Sequence, residues 1–190
     1  IMAWTINNGQ LYFNTKLWSG NAGTNNITGV GFQPDWTWIK KRNGAINHSI
    51  FDSVRGATKN IVSSTTAAES TSANGLQSWG SDGFTLGADG DVNASGGTYV
   101  GWNWLAGGTA SSNTAGSITS SVSVNTTSGF SIVSYTGTAA NATVGHGLGS
   151  VVKMFFVKEL SNINSWEVYH VSEGAGKNAQ LNTTAAFESA

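Results

Sequence analysis

Apolar residues along the chain fall in short runs separated by clusters of Gly, Asn, Ser and Thr. The strongest are Trp36-Thr37-Trp38-Ile39-Lys40, His48-Ser49-Ile50-Phe51-Asp52, Gly83-Phe84-Thr85-Leu86, Tyr99-Val100-Gly101-Trp102-Asn103-Trp104, Ile132-Val133-Ser134-Tyr135, Met154-Phe155-Phe156-Val157-Lys158 and Trp166-Glu167-Val168-Tyr169-His170. Aromatic and β-branched runs of this length, bounded by turn formers, predict strands. No long helix is predicted. Thr66-Ala67-Ala68-Glu69 has capping-box spacing and predicts one helical turn. No apolar stretch approaches the ~20 residues that cross a bilayer, so no membrane insertion is expected. Ile1-Met2-Ala3-Trp4 lacks the basic and apolar regions of a signal peptide, and starting on Ile suggests a processed chain.

The strand pattern occurs twice. Lys158 lies 118 positions after Lys40. At the same offset Gly56-Ala57-Thr58-Lys59-Asn60 matches Gly174-Ala175-Gly176-Lys177-Asn178, and Thr65-Thr66-Ala67-Ala68 matches Thr183-Thr184-Ala185-Ala186. Upstream, Phe13, Trp18 and Gly20 match Phe130, Tyr135 and Gly137 at an offset of 117, so a one-residue insertion is expected near Gly149-Ser150. One register held across so many residue types implies duplication. The organisation predicted is an N-terminal segment (1–12), a first β-domain (13–106), a flexible Gly/Ser/Thr-rich linker (107–117) and a second copy (118–190). Residues from about Ala73 to Ala106 have no counterpart. The fold class is therefore all-β, a duplicated β-sandwich-like (lectin-like) unit whose second copy is incomplete.

Charge narrows the function. Only 10% of residues are charged and the formal net charge is −1, so no basic face serves nucleic acid. Lys40-Lys41-Arg42 reads as a solvated strand end. The chain has no Cys, which removes disulfides and thiolate metal sites.

Two constellations could carry chemistry. His48, Asp52 and Arg55, with Trp36 or Trp38, could form a carbohydrate site in which carboxylate and guanidinium hold hydroxyls and an indole stacks on the sugar. Alternatively Asp52 and Arg55 form an ion pair that fixes the turn before Gly56. The second unit has His170 and Glu173 at the positions of Asp52 and Arg55, so the pair is not rebuilt there. Asp89-Gly90-Asp91-Val92-Asn93 alternates oxygen side chains as a calcium loop does, with Asp89, Asp91 and Asn93 as ligands, but lacks the distal Glu. A polar turn explains the same run. Calcium is thus the one cofactor considered; otherwise none is expected. The eight Trp default to core. No Gly-x-Ser-x-Gly elbow is present, and no catalytic residue is assigned.

The runs Val30-Gly31-Phe32-Gln33-Pro34-Asp35-Trp36-Thr37-Trp38-Ile39-Lys40, Phe51-Asp52-Ser53-Val54-Arg55-Gly56-Ala57-Thr58-Lys59, Ser81-Asp82-Gly83-Phe84-Thr85-Leu86-Gly87, Tyr99 to Gly108 and Gly145-His146-Gly147-Leu148-Gly149 together resemble a repeated domain of tail-fibre and other virion surface proteins of marine tailed bacteriophages. The resemblance implies a virion-surface (extracellular) structural protein, a tail-fibre, spike or decoration subunit with a host-surface or glycan-binding role. Its expected partners are other virion proteins, copies of itself (a homo-oligomer, trimer favoured) and a host-surface glycan. The alternatives are a polysaccharide-degrading, tail-associated enzyme and a bacterial extracellular adhesin or filament subunit.

Overall fold

The structure is a computed structural model that describes residues 8–189; Ile1–Trp4, read above for a leader, lie outside the described residues. The first unit contains β1 (Phe13–Ser19), β2 (Asn25–Thr28), β3 (Trp36–Lys41), β4 (Ser49–Asp52), β5 (Lys59–Val62), β6 (Ser70–Thr71), β7 (Leu76–Gly80), β8 (Gly83–Leu86), the one-turn helix α1 (Gly90–Asn93) and β9 (Thr98–Trp104). The second contains β10 (Ser111–Asn113), β11 (Ser120–Asn125), β12 (Phe130–Tyr135), β13 (Met154–Val157), β14 (Glu167–His170), β15 (Lys177–Gln180) and β16 (Glu188–Ser189).

The first unit is a sandwich. A six-stranded sheet, β1-β9-β3-β4-β5-β6, faces a three-stranded one, β2-β8-β7. Alternation along the strands supplies the core. Ile39, Phe51 and Tyr99 from the large sheet pack on Ile27, Leu76, Phe84 and Leu86 from the small one, with Val92 of α1 closing one end. Trp18 stacks on Tyr99 at 5.7 Å between ring centroids and meets Phe84 edge-on at 5.8 Å. The all-β, sandwich-like class expected from the sequence holds.

The second unit repeats the pairing of the first position by position. Trp36 faces Asp52 across β3–β4, and Met154 faces His170 across β13–β14, both residues 118 later. Ser49↔Val62 becomes Glu167↔Gln180, and Lys59↔Thr71 becomes Lys177↔Ser189. The turns match as well: Gly29 and Gly31 have φ of 80° and 91°, Gly147 and Gly149 of 75° and 67°. Side chains at these positive φ values are disfavoured, so both copies keep glycine. These paired turns already obey the 118 offset. The insertion therefore lies between Gly137 and Gly147, upstream of the Gly149-Ser150 position expected from sequence.

Two local expectations change. Thr66–Glu69 is not helical: the Glu69 carboxylate is drawn to Arg55 instead of back to the backbone of Thr66, and its N–H donates to Leu160 O at 2.8 Å. The Gly/Ser/Thr-rich stretch is not free throughout, because Ser111–Asn113 pairs with β11 from Val122 to Ser120.

The outer face of the large sheet carries Trp36, Trp38, Ile50 and Ile61, and the second unit covers it. Trp166 is 2% exposed among Ile50, Ile61, Trp36 and Trp38, with Phe156, Leu160 and Leu181 beside it. Its indole N–H donates to Val62 O at 2.9 Å. Phe130 of β12 stacks on Trp104 at 6.0 Å and meets Trp36 edge-on at 6.4 Å.

Candidate functional site

The turn after β4 brings Asp52 and Arg55 together. Asp52 ends β4 at 2% side-chain exposure, and its Oδ1 accepts from the N–H of Val54 (3.1 Å) and Arg55 (2.9 Å). Arg55, 8% exposed, donates Nε to Asp52 Oδ2 at 2.5 Å and Nη1 to Glu69 Oε2 at 3.0 Å. Its other N–H groups reach Lys59 O (3.0 Å) and Ile50 O (3.2 Å). Two carboxylates and two carbonyls take four of the five guanidinium N–H donors, so most of its hydrogen-bonding capacity is spent inside the scaffold. It ties β4, β5 and the strand-entry residue Glu69 to one another.

His48 does not join this group. It precedes β4, four residues and thus about 13 Å of extended chain from Asp52. Burial, and then the charge of Lys40, hold its imidazole below the usual histidine value. Trp36 and Trp38 are half-buried under the second unit, with Trp38 edge-on to Trp102 at 6.4 Å. The five residues of the candidate carbohydrate site are thus divided between an ion cluster, a strand end and an inter-unit contact.

The candidate calcium residues are distributed similarly. Asp89 caps α1: its Oδ1 accepts from Asp91 N–H at 2.9 Å, and its Oδ2 accepts from the Ser72 hydroxyl. Burial, and then the Asp89 charge, push the Asp91 carboxyl above the ordinary range. Asn93 is fully buried. Its amide N donates to Asn21 Oδ1 (2.9 Å), Gly23 O (2.7 Å) and Gly87 O (2.8 Å), and its Oδ1 accepts from Asn21 N–H (3.1 Å) and Asn25 Nδ2 (2.9 Å). The oxygen offered as a ligand faces inward and both its lone pairs are used. The alternating run is a helix cap followed by an internal amide hub. Among the described residues, no three His, Asp or Glu side chains converge as a metal cluster.

Two features escaped the sequence reading. Asp35, 1% exposed, accepts from Ala106 N–H (2.8 Å), Gly108 N–H (3.2 Å) and the Ser53 hydroxyl (2.9 Å), and so anchors the start of the inter-unit segment. The signal available in the sequence was slight, an acid directly before a predicted strand. The other is a shallow cavity of about 400 Å³ on the second unit, lined by Val157, Glu159, Asn164, Ser165, Glu167 and Gln180. Asn162 and Asn164 donate to Glu159 and hold its carboxyl below the usual range, while Asn178 donates to Glu167.

A family model described as a domain of unknown function, DUF7483, matches residues 8–190. No curated protein matches the chain, and no solved structure does.

Proposed function

The chain belongs to the DUF7483 family, and we propose that it is a structural and binding subunit of a virion surface, a tail-fibre, spike or decoration protein, and not an enzyme. The observation that carries this reading is the use of the outer aromatic face. Trp36, Trp38 and Trp104 join one copy of the unit to the next through Trp166 and Phe130. Aromatic area used in this way builds a longer body by repetition. The polar groups with the most chemical appearance, Asp52, Arg55 and Asn93, hold the scaffold in shape. Low charge and the resemblance to phage surface domains agree with the assignment. Assembly as a homo-oligomer, threefold as in the fibres and spikes it resembles, and contact with other virion proteins belong to the same proposal. So does contact with a host-surface glycan, at a place other than the covered Trp36 and Trp38. Immunogold electron microscopy of purified particles should place label on the particle; protein found only in host cytosol would remove the idea.

A tail-associated polysaccharide-degrading enzyme is the second reading, favoured by Glu159 and Glu167 in one cavity. Glycoside hydrolysis needs one carboxyl kept protonated as the acid. Glu159 is shifted the opposite way, which ranks this reading lower. Reducing-sugar release from host capsule, lost in Glu159→Gln or Glu167→Gln, would reverse the order.

A further inference from the structure

The two units share one register, so each position of the second can be compared with its counterpart in the first. Three places in the first unit are occupied by one continuous segment, Leu76–Trp104. The same three places in the second unit have no occupant among the described residues.

The first place is a strand lane. β9 hydrogen-bonds to β1 on one side and to β3 on the other. Their counterparts β12 and β13 belong to separate sheets, pairing only with β11 and β14. The second place is the inner sheet face. Thr37 and Phe51 are 0% exposed under the small sheet, whereas Phe155 is 45% exposed and stacks on half-exposed Tyr169 at 5.0 Å. The third place is the Gly-x-Gly turn. In the first unit, Gly29 and Gly31 donate their N–H groups to the Asp82 carboxylate at 2.8 and 2.6 Å, and Val30 N–H donates to Asp82 O at 3.2 Å. Asp82 sits between β7 and β8. Gly147 and Gly149 hold the same positive-φ conformation, and their N–H groups donate to no acceptor among the described residues. Paired N–H groups in such a turn form a nest for a carboxylate.

We infer that the second unit is the receptor for a polypeptide segment with the chemistry of Leu76–Trp104: two short apolar strands joined by an Asp-Gly turn, then an aromatic strand. The Asp seats in the Gly147–Gly149 nest, the strand pair covers Phe155 and Tyr169, and the aromatic strand enters between β12 and β13, as in β-strand addition. Exchange between copies of the chain does not supply it. The described residues hold one such segment and two places for it, so every copy that donates Leu76–Trp104 empties the place it leaves. The occupant is further polypeptide that repeats the pattern. The inference rests on the duplicated fold and not on the virion assignment, so each can fail without the other.

The test joins a second copy of residues 73–106 directly after Ala190, which keeps the 118-residue spacing of the repeat. Amide exchange at Gly147, Gly149 and β13 should slow by about tenfold or more relative to the parent chain. A version with Asp82→Asn in the added copy should lose the slowing at Gly147 and Gly149 first. The inference falls if the added segment stays unprotected, if a scrambled copy protects equally, or if the parent chain alone shows the protection in a concentration-dependent oligomer, which would make a second copy the occupant.

Discussion

Replacing Asn93 separates a scaffold from a calcium site. The amide has five hydrogen-bond partners in a fully buried position, three acceptors sharing its two N–H groups and two donors on its oxygen. Asn93→Ala leaves Gly23 O, Gly87 O and Asn21 N–H without that partner. Each buried group left unpaired costs about 1–3 kcal/mol, and water entry at exposed Asn21 and half-buried Gly23 favours the lower end, giving roughly 3–5 kcal/mol in total. For a chain of this length, about 2–4 °C of melting temperature is lost per kcal/mol, so a fall of about 10 °C is expected. Asn93→Asp is the sharper variant. In a calcium loop it adds a hard, charged ligand and should be neutral or favourable with calcium present. Here it replaces the two N–H donors by an acceptor oxygen facing two carbonyls and an amide oxygen, and buries a charge without a cationic partner, which costs several kcal/mol. Thermal melting by circular dichroism, with calcium and with chelator, reads both variants. An Asn93→Asp protein as stable as the parent in calcium and destabilised by chelator would refute the reasoning.

Trp166→Ala should cost about 3–5 kcal/mol through the cavity it leaves and loosen amide protection at Ile50 and Ile61, whereas Trp166→Phe, losing mainly the bond to Val62 O, should cost about 1 kcal/mol; equal effects would contradict the packing account. Asp35→Ala should cost about 2–4 kcal/mol, because Ala106 N–H and Gly108 N–H lose their acceptor, and should increase proteolysis between the units. The His48 pKa is lowered on folding, so the unfolded chain protonates first as pH falls. The associated stability is present above about pH 6.5 and is lost as pH falls through the folded value. In His48→Gln that part of the pH dependence of melting should vanish; an unchanged slope between pH 7 and 5 would assign it elsewhere.

The repeat was legible because a shared register forces shared turns. Glycines at positive φ recur at 29 and 147 and at 31 and 149, and the strands between them follow. The aromatic stripe was also legible, but its use was not. Trp36 meets Phe130, and both Trp36 and Trp38 pack on the cluster that Trp166 completes; Phe130 and Trp166 are residues of another unit whose docking no local period encodes. Asn93 resembled a ligand because spacing records residue type and not direction; its partners Asn21 and Asn25 lie 72 and 68 positions away. Asp35 left little trace, since two of its three donors are backbone N–H groups any sequence would supply. The Thr66–Glu69 turn failed for a related reason, a local cap losing to a long-range ion pair with Arg55.

The position of β9 sets the order in which the first unit can be made. It is the last strand of that unit to be synthesised, yet it lies between β1 and β3, so Phe13 waits 91 positions for Trp104. On the ribosome β1 through β8 emerge with the central lane empty, and the large sheet closes only after Trp104 has left the exit tunnel. Closure is therefore late and long-range, which slows folding relative to a chain of successive hairpins. Until then β1 and β3 present bare edges to every neighbouring nascent chain, the condition under which β proteins mispair.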